Sequence, residues 1–146
     1  MGAAEWPWLW SVQMIMYRQR GDIVLFQAEE SLLFQVATWA RTEGRFGVRL
    51  VTSQDPLIVA RAIDDAILAI VDATSRPGEA MAILERSIAR MGPGRIAVYG
   101  ERMHEGLELF VRVRGVPLLL GPMSPPEWAA FFEPLVRIHM SSVESA

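Results

Sequence analysis

The chain has 146 residues, 51% of them hydrophobic, which is enough apolar material for the core of one domain. Its formal net charge is −3, and its basic residues, all arginine, form no cluster that would bind nucleic acid. Cysteine is absent, which excludes disulfides, thiol catalysis and cysteine-ligated metals.

Residues 1–21 are predicted to form an aromatic N-terminal arm, because three tryptophans fall within Trp6-Pro-Trp-Leu-Trp10. A monomer rarely leaves such a patch in water, so we expect the rings to pack on the domain or on a second copy. An interfacial membrane anchor is the alternative, although only Arg18 and Arg20 supply positive charge nearby. The chain has no signal-peptide pattern and no run approaching the ~18 apolar residues of a membrane span, which favours a cytoplasmic location.

From residue 22 onward, apolar runs alternate with amphipathic segments. The predicted strands are residues 22–27, 46–52, 67–72, 95–100 and 116–120. Helices are predicted over residues 31–42, from Asp55-Pro56 to about residue 66, over residues 81–91 and 103–113, and from the capping box Ser124-Pro-Pro-Glu127. We place Ile58, Val59, Ala62, Ile63 and Ala66 on the buried stripe of the second helix. Five strands alternate with five helices through connections of a few residues, which requires parallel strands. The fold class is therefore doubly wound α/β with helices on both faces.

A single carboxylate ends the most apolar of these strands. The run Ile67–Val71 is typical of a strand buried on both faces, and it is followed by Asp72 and then by Pro77-Gly78. In an open α/β sheet, the carboxyl ends of the strands form the ligand crevice. Asp72 is therefore the first candidate for a functional group.

Over roughly residues 22–139 the order and spacing of these features resemble the receiver domain of bacterial response regulators. The resemblance rests on the segments Leu25–Leu33, Ile67–Gly78 and Gly115–Pro122. It implies a five-stranded parallel sheet of flavodoxin-like order 2-1-3-4-5 over residues 22–140. The polar residues 141–146 are predicted to form a flexible tail. The resemblance also implies that Asp72 corresponds to the family's phosphate-accepting nucleophile, which works with a Mg²⁺ ion held by acidic side chains.

The other positions of that pocket depart from the family. Ala28 replaces the first of two acidic residues, Tyr99 or Gly100 stands where a small hydroxyl is usual, and Gly121 stands where a lysine is usual. The loop after Asp72 is also one residue longer than usual before its proline. The degenerate pocket is predicted to comprise Glu29, Glu30, Asp72, Tyr99, Gly100 and Gly121. Because phosphoryl transfer needs several charges placed together, we expect a pseudo-receiver with no catalytic residue and no cofactor.

Three alternatives stay open. Glu29 and Asp72 could hold a weakly bound divalent ion, although two carboxylates at a sheet edge are more often simply solvated. The chain could also be an active but atypical receiver that uses Asp72 as its phosphoacceptor. The least favoured alternative is a small phosphatase of the haloacid dehalogenase type with Asp72 as nucleophile, in which Thr74 replaces the usual second aspartate.

The remaining function is protein–protein interaction, either with another protein or in a homodimer to which the arm contributes. In the resembled family the face built from the fourth helix, fifth strand and fifth helix mediates dimerisation. That face is predicted to include Glu105, Glu108, Arg112, Arg114, Glu127 and Arg137. Charges of both signs suit reciprocal ion pairs across a two-fold axis.

Overall fold

The protein is described here by a computed structural model covering residues 22–102 and 104–145, with residues 138–145 as backbone. The strands are β1 (Asp22–Phe26), β2 (Gly47–Val51), β3 (Ala66–Asp72), β4 (Ile96–Gly100) and β5 (Leu118–Leu120). The helices are α1 (Glu30–Glu43), α2 (Pro56–Asp65), α3 (Pro77–Met91), α4 (Glu105–Arg114) and α5 (Pro125–Ser145), with a 3₁₀ turn at Pro93–Arg95.

All strand pairs of the sheet are parallel, and their order is β2-β1-β3-β4-β5. This arrangement confirms the predicted doubly wound α/β class with the flavodoxin-like strand order. The central strands β1, β3 and β4 are almost completely buried, as continuous apolar runs require.

Two apolar layers sandwich the sheet. Helices α2, α3 and α4 pack on one face, and α1 and α5 pack on the other. The second layer contains an aromatic cluster in which Trp128 stacks on Phe132 at a ring-centroid distance of 5.5 Å and Trp39 stacks on Phe132 at 3.9 Å. Stacked aromatic pairs stabilise a core beyond the area they bury, and the Trp39–Phe132 contact anchors α5 to α1.

The predicted helix starts are confirmed at two places. The Asp55 carboxylate accepts a hydrogen bond from the backbone N–H of Leu57 at 2.9 Å, next to Pro56 in the first turn. The capping box of α5 also forms, because the Glu127 carboxylate accepts from the backbone N–H of Ser124 at 3.0 Å.

Some boundaries and faces differ from the prediction. Ile58 is 48% exposed, so its place on the buried stripe of α2 was wrong, and Ala66 belongs to β3 rather than to that helix. Helix α3 begins at Pro77, where a proline fits the first turn. Helix α5 extends through Ser145 and therefore includes residues 141–145, which we predicted as a tail.

The predictions for the arm at residues 1–21 lie outside the described residues. Within residues 22–102 and 104–145, no helix has both the length and the apolar character that a membrane span requires.

Candidate functional site

The carboxyl edge of the sheet brings the predicted pocket residues together. Asp72 at the end of β3 lies beside Tyr99 of β4 in the parallel register. Gly100 ends β4, and its carbonyl accepts a hydrogen bond from the backbone N–H of Gly121 at 3.0 Å. The loop after β1, which carries Glu29, completes the group because its backbone contacts Asp72.

The Asp72 side chain is held by the backbone of two loops. One carboxylate oxygen accepts from the N–H of Glu29 at 3.0 Å, and the other accepts from the N–H of Thr74 at 2.9 Å. The residue is only 2% exposed, so the solvated position expected for this carboxylate was wrong. Burial is tolerated because both oxygens are hydrogen-bonded. Asp72 thus ties the β1–α1 loop to the β3–α3 loop.

The two glutamates of the predicted pocket lie at the start of α1 and are both exposed. Glu29 occupies the N-cap position, and its carboxylate accepts a hydrogen bond from the Ser75 hydroxyl. Glu30 is the first residue of the helix, where an acidic side chain is favoured by the helix dipole. Over the described ranges, no three His, Asp or Glu side chains gather into a candidate metal centre. Glu29 and Asp72 are instead engaged with Ser75 and with backbone N–H groups.

Tyr99, rather than Gly100, is the β4 residue whose side chain shares a face with Asp72. The two residues are register partners, and side chains alternate between faces along a strand. The Tyr99 ring is fully buried in the layer below α1 and α5. Its hydroxyl donates to the Glu101 carboxylate at 2.7 Å and accepts from the Gln35 side-chain amide at 2.9 Å.

The Tyr99 ring lies directly against the backbone of Gly121. A Cβ atom at position 121 would lie 2.1 Å from the Tyr99 hydroxyl oxygen and 2.3 Å from Cε2 and Cζ of the ring. These separations are far shorter than van der Waals contact, so no side chain fits at position 121 unless Tyr99 moves. Gly121 and Tyr99 are therefore two parts of one packing arrangement.

Gln35 of α1 is a site residue that the sequence analysis missed. Its side-chain oxygen accepts from the backbone N–H of Met123 at 2.9 Å and from the indole N–H of Trp128 at 3.0 Å. Its amide nitrogen donates to Tyr99, so one side chain joins α1, β4 and the start of α5. The sequence signal that could have indicated this role is the position of the Gln35 amide on α1, next to the buried residues Leu32 and Val36.

Burial, assisted by the hydrogen bond to Glu101, raises the pKa of the Tyr99 hydroxyl from 10.0 to about 12. The neutral phenol is thus favoured in the folded state. The contribution of this preference to the free energy of unfolding is fully present below pH 10 and is lost as the pH rises from 10 to about 12. We expect a loss of about 2–3 kcal/mol in the free energy of unfolding over this range, which the Tyr99→Phe variant does not show.

Urea unfolding at several alkaline pH values measures this difference. Few other groups titrate in this pH range, because the chain has no lysine and only one other tyrosine, Tyr17. The absorbance of phenolate in wild type minus Tyr99→Phe gives the titration of Tyr99 directly. An ordinary pKa near 10 in that difference, or equal alkaline destabilisation of both proteins, contradicts the expectation.

The charged residues predicted for the partner surface largely interact within their own helices. Arg112 pairs with Glu108, and Arg137 pairs with Glu133. The Arg114 guanidinium lies over the Phe110 ring at 3.6 Å. Exposed ion pairs of this type contribute little energy, so these charges are better suited to the rim of an interface than to its centre.

Exposed apolar side chains on the same face were not predicted. Leu109 and Val113 of α4 are 64% and 72% exposed, and Leu120 of β5 is 53% exposed. Leu109 and Val113 are four residues apart and therefore share one side of the helix. We call the α4–β5 surface that carries these three residues the edge patch.

The strand order and the alternation of strands and helices define the class as a flavodoxin-like α/β domain. No family model matches the chain, and no curated protein matches it. Several solved structures share its fold. A protein described as pilus assembly-related from Burkholderia pseudomallei has a TM-score of 0.59 and 17% identity, covering 85% of this chain and 92% of its own.

Two further structures are described as pilus assembly proteins CpaE. The one from Burkholderia thailandensis has a TM-score of 0.54 and 19% identity, covering 82% of this chain and 97% of its own. The one from Caulobacter crescentus has a TM-score of 0.52 and 20% identity, covering 73% of this chain and 86% of its own. At these identities the similarity concerns the fold, and function has to be argued from the site.

Proposed function

We propose that the chain is a protein-interaction module, similar to a response-regulator receiver, that acts without phosphorylation. The observation that carries the proposal is the packing of the Tyr99 ring against Gly121, where a Cβ atom would lie 2.1 Å from the hydroxyl oxygen. In the resembled family a lysine side chain starts from this position. Here the space next to the backbone is filled by the neutral Tyr99 phenol, whose atoms are the nearest to a Cβ placed at position 121.

The state of Asp72 supports the same proposal. Phosphoryl transfer to a carboxylate needs an accessible oxygen, with cations placed to stabilise the charge on the transferring group. The Asp72 oxygens each accept a backbone N–H, and the residue is 2% exposed. The role that fits these contacts is structural, because Asp72 fixes the two loops beside it. The module is accordingly proposed to be a binding protein rather than an enzyme.

The proposed binding surface is the edge patch, through which two copies pair about a two-fold axis. Leu109, Val113 and Leu120 would form the apolar centre, and rim charges such as Glu105 and Arg114 would set the register. Three solved proteins of this fold are described as related to pilus assembly. We therefore propose components of such an assembly as the first heterologous partners to test.

One experiment tests both parts of this proposal. Light scattering and intact-mass measurement are made on the full chain before and after incubation with acetyl phosphate and Mg²⁺. We expect a dimer with no mass gain and no change of assembly on treatment. Val113→Arg should give a monomer, whereas Ile58→Arg, which alters an equally apolar exposed residue on α2, should not.

If the wild type is a monomer, or if only Ile58→Arg abolishes the dimer, the proposed interface is wrong. Stoichiometric labelling that is lost in Asp72→Asn but kept in Asp65→Asn would identify an active phosphoacceptor instead. Asp65 is a suitable control because it is an exposed aspartate that ends α2, next to the start of β3 and away from its Asp72 end.

A further inference from the structure

An apolar groove of about 590 Å³ runs between α1 and α5. Phe34, Thr38 and Trp39 line it on the α1 side, and Pro126 and Ala129 line it on the α5 side. The groove lies on the face of the sheet opposite α4. Its size is within the range of cavities that enclose most of a drug-sized ligand.

The chemistry of the groove selects an uncharged, aromatic occupant. Its single charged lining residue is Glu43, which is already paired with Arg45 at the end of α1. The hydroxyl of Thr38 offers an acceptor for an indole N–H, which a buried tryptophan requires. An anionic ligand would find no positive charge among these lining residues, and the one negative charge that a basic peptide could contact, Glu43, is already paired with Arg45.

We propose that the groove binds Trp6–Trp10 of the same chain. Residues 6–17 are twelve consecutive uncharged residues, and three of the first five are tryptophan. Pro7 disfavours a helix, and in an extended segment the side chains of residues 6, 8 and 10 lie on one side. Three indole rings on one side would each bury on the order of 150–250 Å² against an apolar surface.

The length of the connecting segment decides between the same chain and a second copy. Residues 11–21 join the tryptophans to β1, and fully extended they span about 36 Å. Helix α1 has 14 residues, so the groove extends at most about 21 Å along it. Because α1 runs antiparallel to β1, its Glu43 end lies at the sheet edge where Asp22 begins the domain.

Every part of the groove is therefore within reach of the segment. A short flexible connection gives an effective concentration of about millimolar, which exceeds that of free copies in dilute solution. The tether thus favours the groove of the same chain over that of a second copy.

Acrylamide quenching of tryptophan fluorescence in the full-length protein tests the proposal. We expect strong protection in the wild type and, in Ala129→Arg, loss of protection for the three tryptophans of residues 6–10 together with greater exposure of Trp39, which lines the groove. Ala130→Arg is the matched control, because Ala130 is the adjacent exposed alanine of α5 and does not line the groove. Thr38→Arg alters the opposite wall and should act like Ala129→Arg.

Circular dichroism of each variant establishes that the domain remains folded. Equal quenching of Ala129→Arg, Thr38→Arg and Ala130→Arg would overturn the proposal, as would unprotected tryptophans in the wild type. Protection lost on dilution by about a hundredfold would assign the occupant to a second copy. Protection that arises only with phospholipid vesicles would assign the arm to a membrane surface.

Discussion

Replacing Gly121 with alanine should destabilise the protein by about 2–3 kcal/mol, the upper part of the range for overpacked sites. The added Cβ would lie 2.1 Å from the Tyr99 hydroxyl oxygen, so either the ring or the β5–α5 loop must move. Movement of the ring breaks the hydrogen bonds of its hydroxyl with Glu101 and Gln35. Movement of the loop strains the backbone hydrogen bond from Gly121 to Gly100. Urea unfolding of the two proteins at neutral pH measures the difference.

The cause of the loss can be isolated with a double-mutant cycle. Tyr99→Thr removes the ring while retaining a residue suited to a strand. In that background, Gly121→Ala should cost less than about 0.5 kcal/mol, because the ring atoms that the added Cβ would overlap are gone. An equal cost in both backgrounds would show that Tyr99 is not the reason for glycine at this position.

The sequence predicts the fold well because the signals that specify it are local and repeated. The run Ile67–Val71 predicts a central buried strand, and β3 is buried between β1 and β4. Asp55-Pro56 predicts a helix start through one capping bond, and that bond is formed. Each of these signals depends on a few neighbouring residues, so tertiary contacts are not needed to interpret it.

The exposed face of α2 shows where such local signals are insufficient. Ile58 follows the helical apolar pattern, yet it is 48% exposed, and the neighbouring Leu57 is 60% exposed. The stripe of α2 is wider than the surface available to cover it, since the helix packs beside α3 on one face of the sheet. Periodicity predicts which residues could be buried, and the neighbouring elements decide which are.

The candidate site could be predicted only in part, because its decisive contact joins residues far apart in the chain. Sequence comparison with the resembled family indicates separately that Tyr99 and Gly121 are unusual. Only the three-dimensional arrangement shows that the tyrosine ring occupies the space beside the glycine. The burial of Asp72 was missed for the same reason, since its partner N–H of Glu29 lies 43 residues away.

Gln35→Met should lower the free energy of unfolding by about 2–4 kcal/mol, because two donors lose their acceptor. The Gln35 oxygen accepts from the indole N–H of Trp128 and from the backbone N–H of Met123. Methionine has similar size but cannot replace these bonds, and Trp128 is only 1% exposed, so water cannot easily do so either. The Tyr99 hydroxyl would lose the amide donor as well.

The matched control is Gln54→Met, which changes an exposed glutamine outside the helices and should stay within about 0.5 kcal/mol of wild type. Adding Trp128→Phe removes the indole N–H while keeping an aromatic ring. In that background the Gln35→Met cost should fall by about 1–2 kcal/mol, because one donor no longer needs an acceptor. A cost unchanged by Trp128→Phe would mean that the hydrogen bond from the indole N–H to Gln35 contributes nothing to stability.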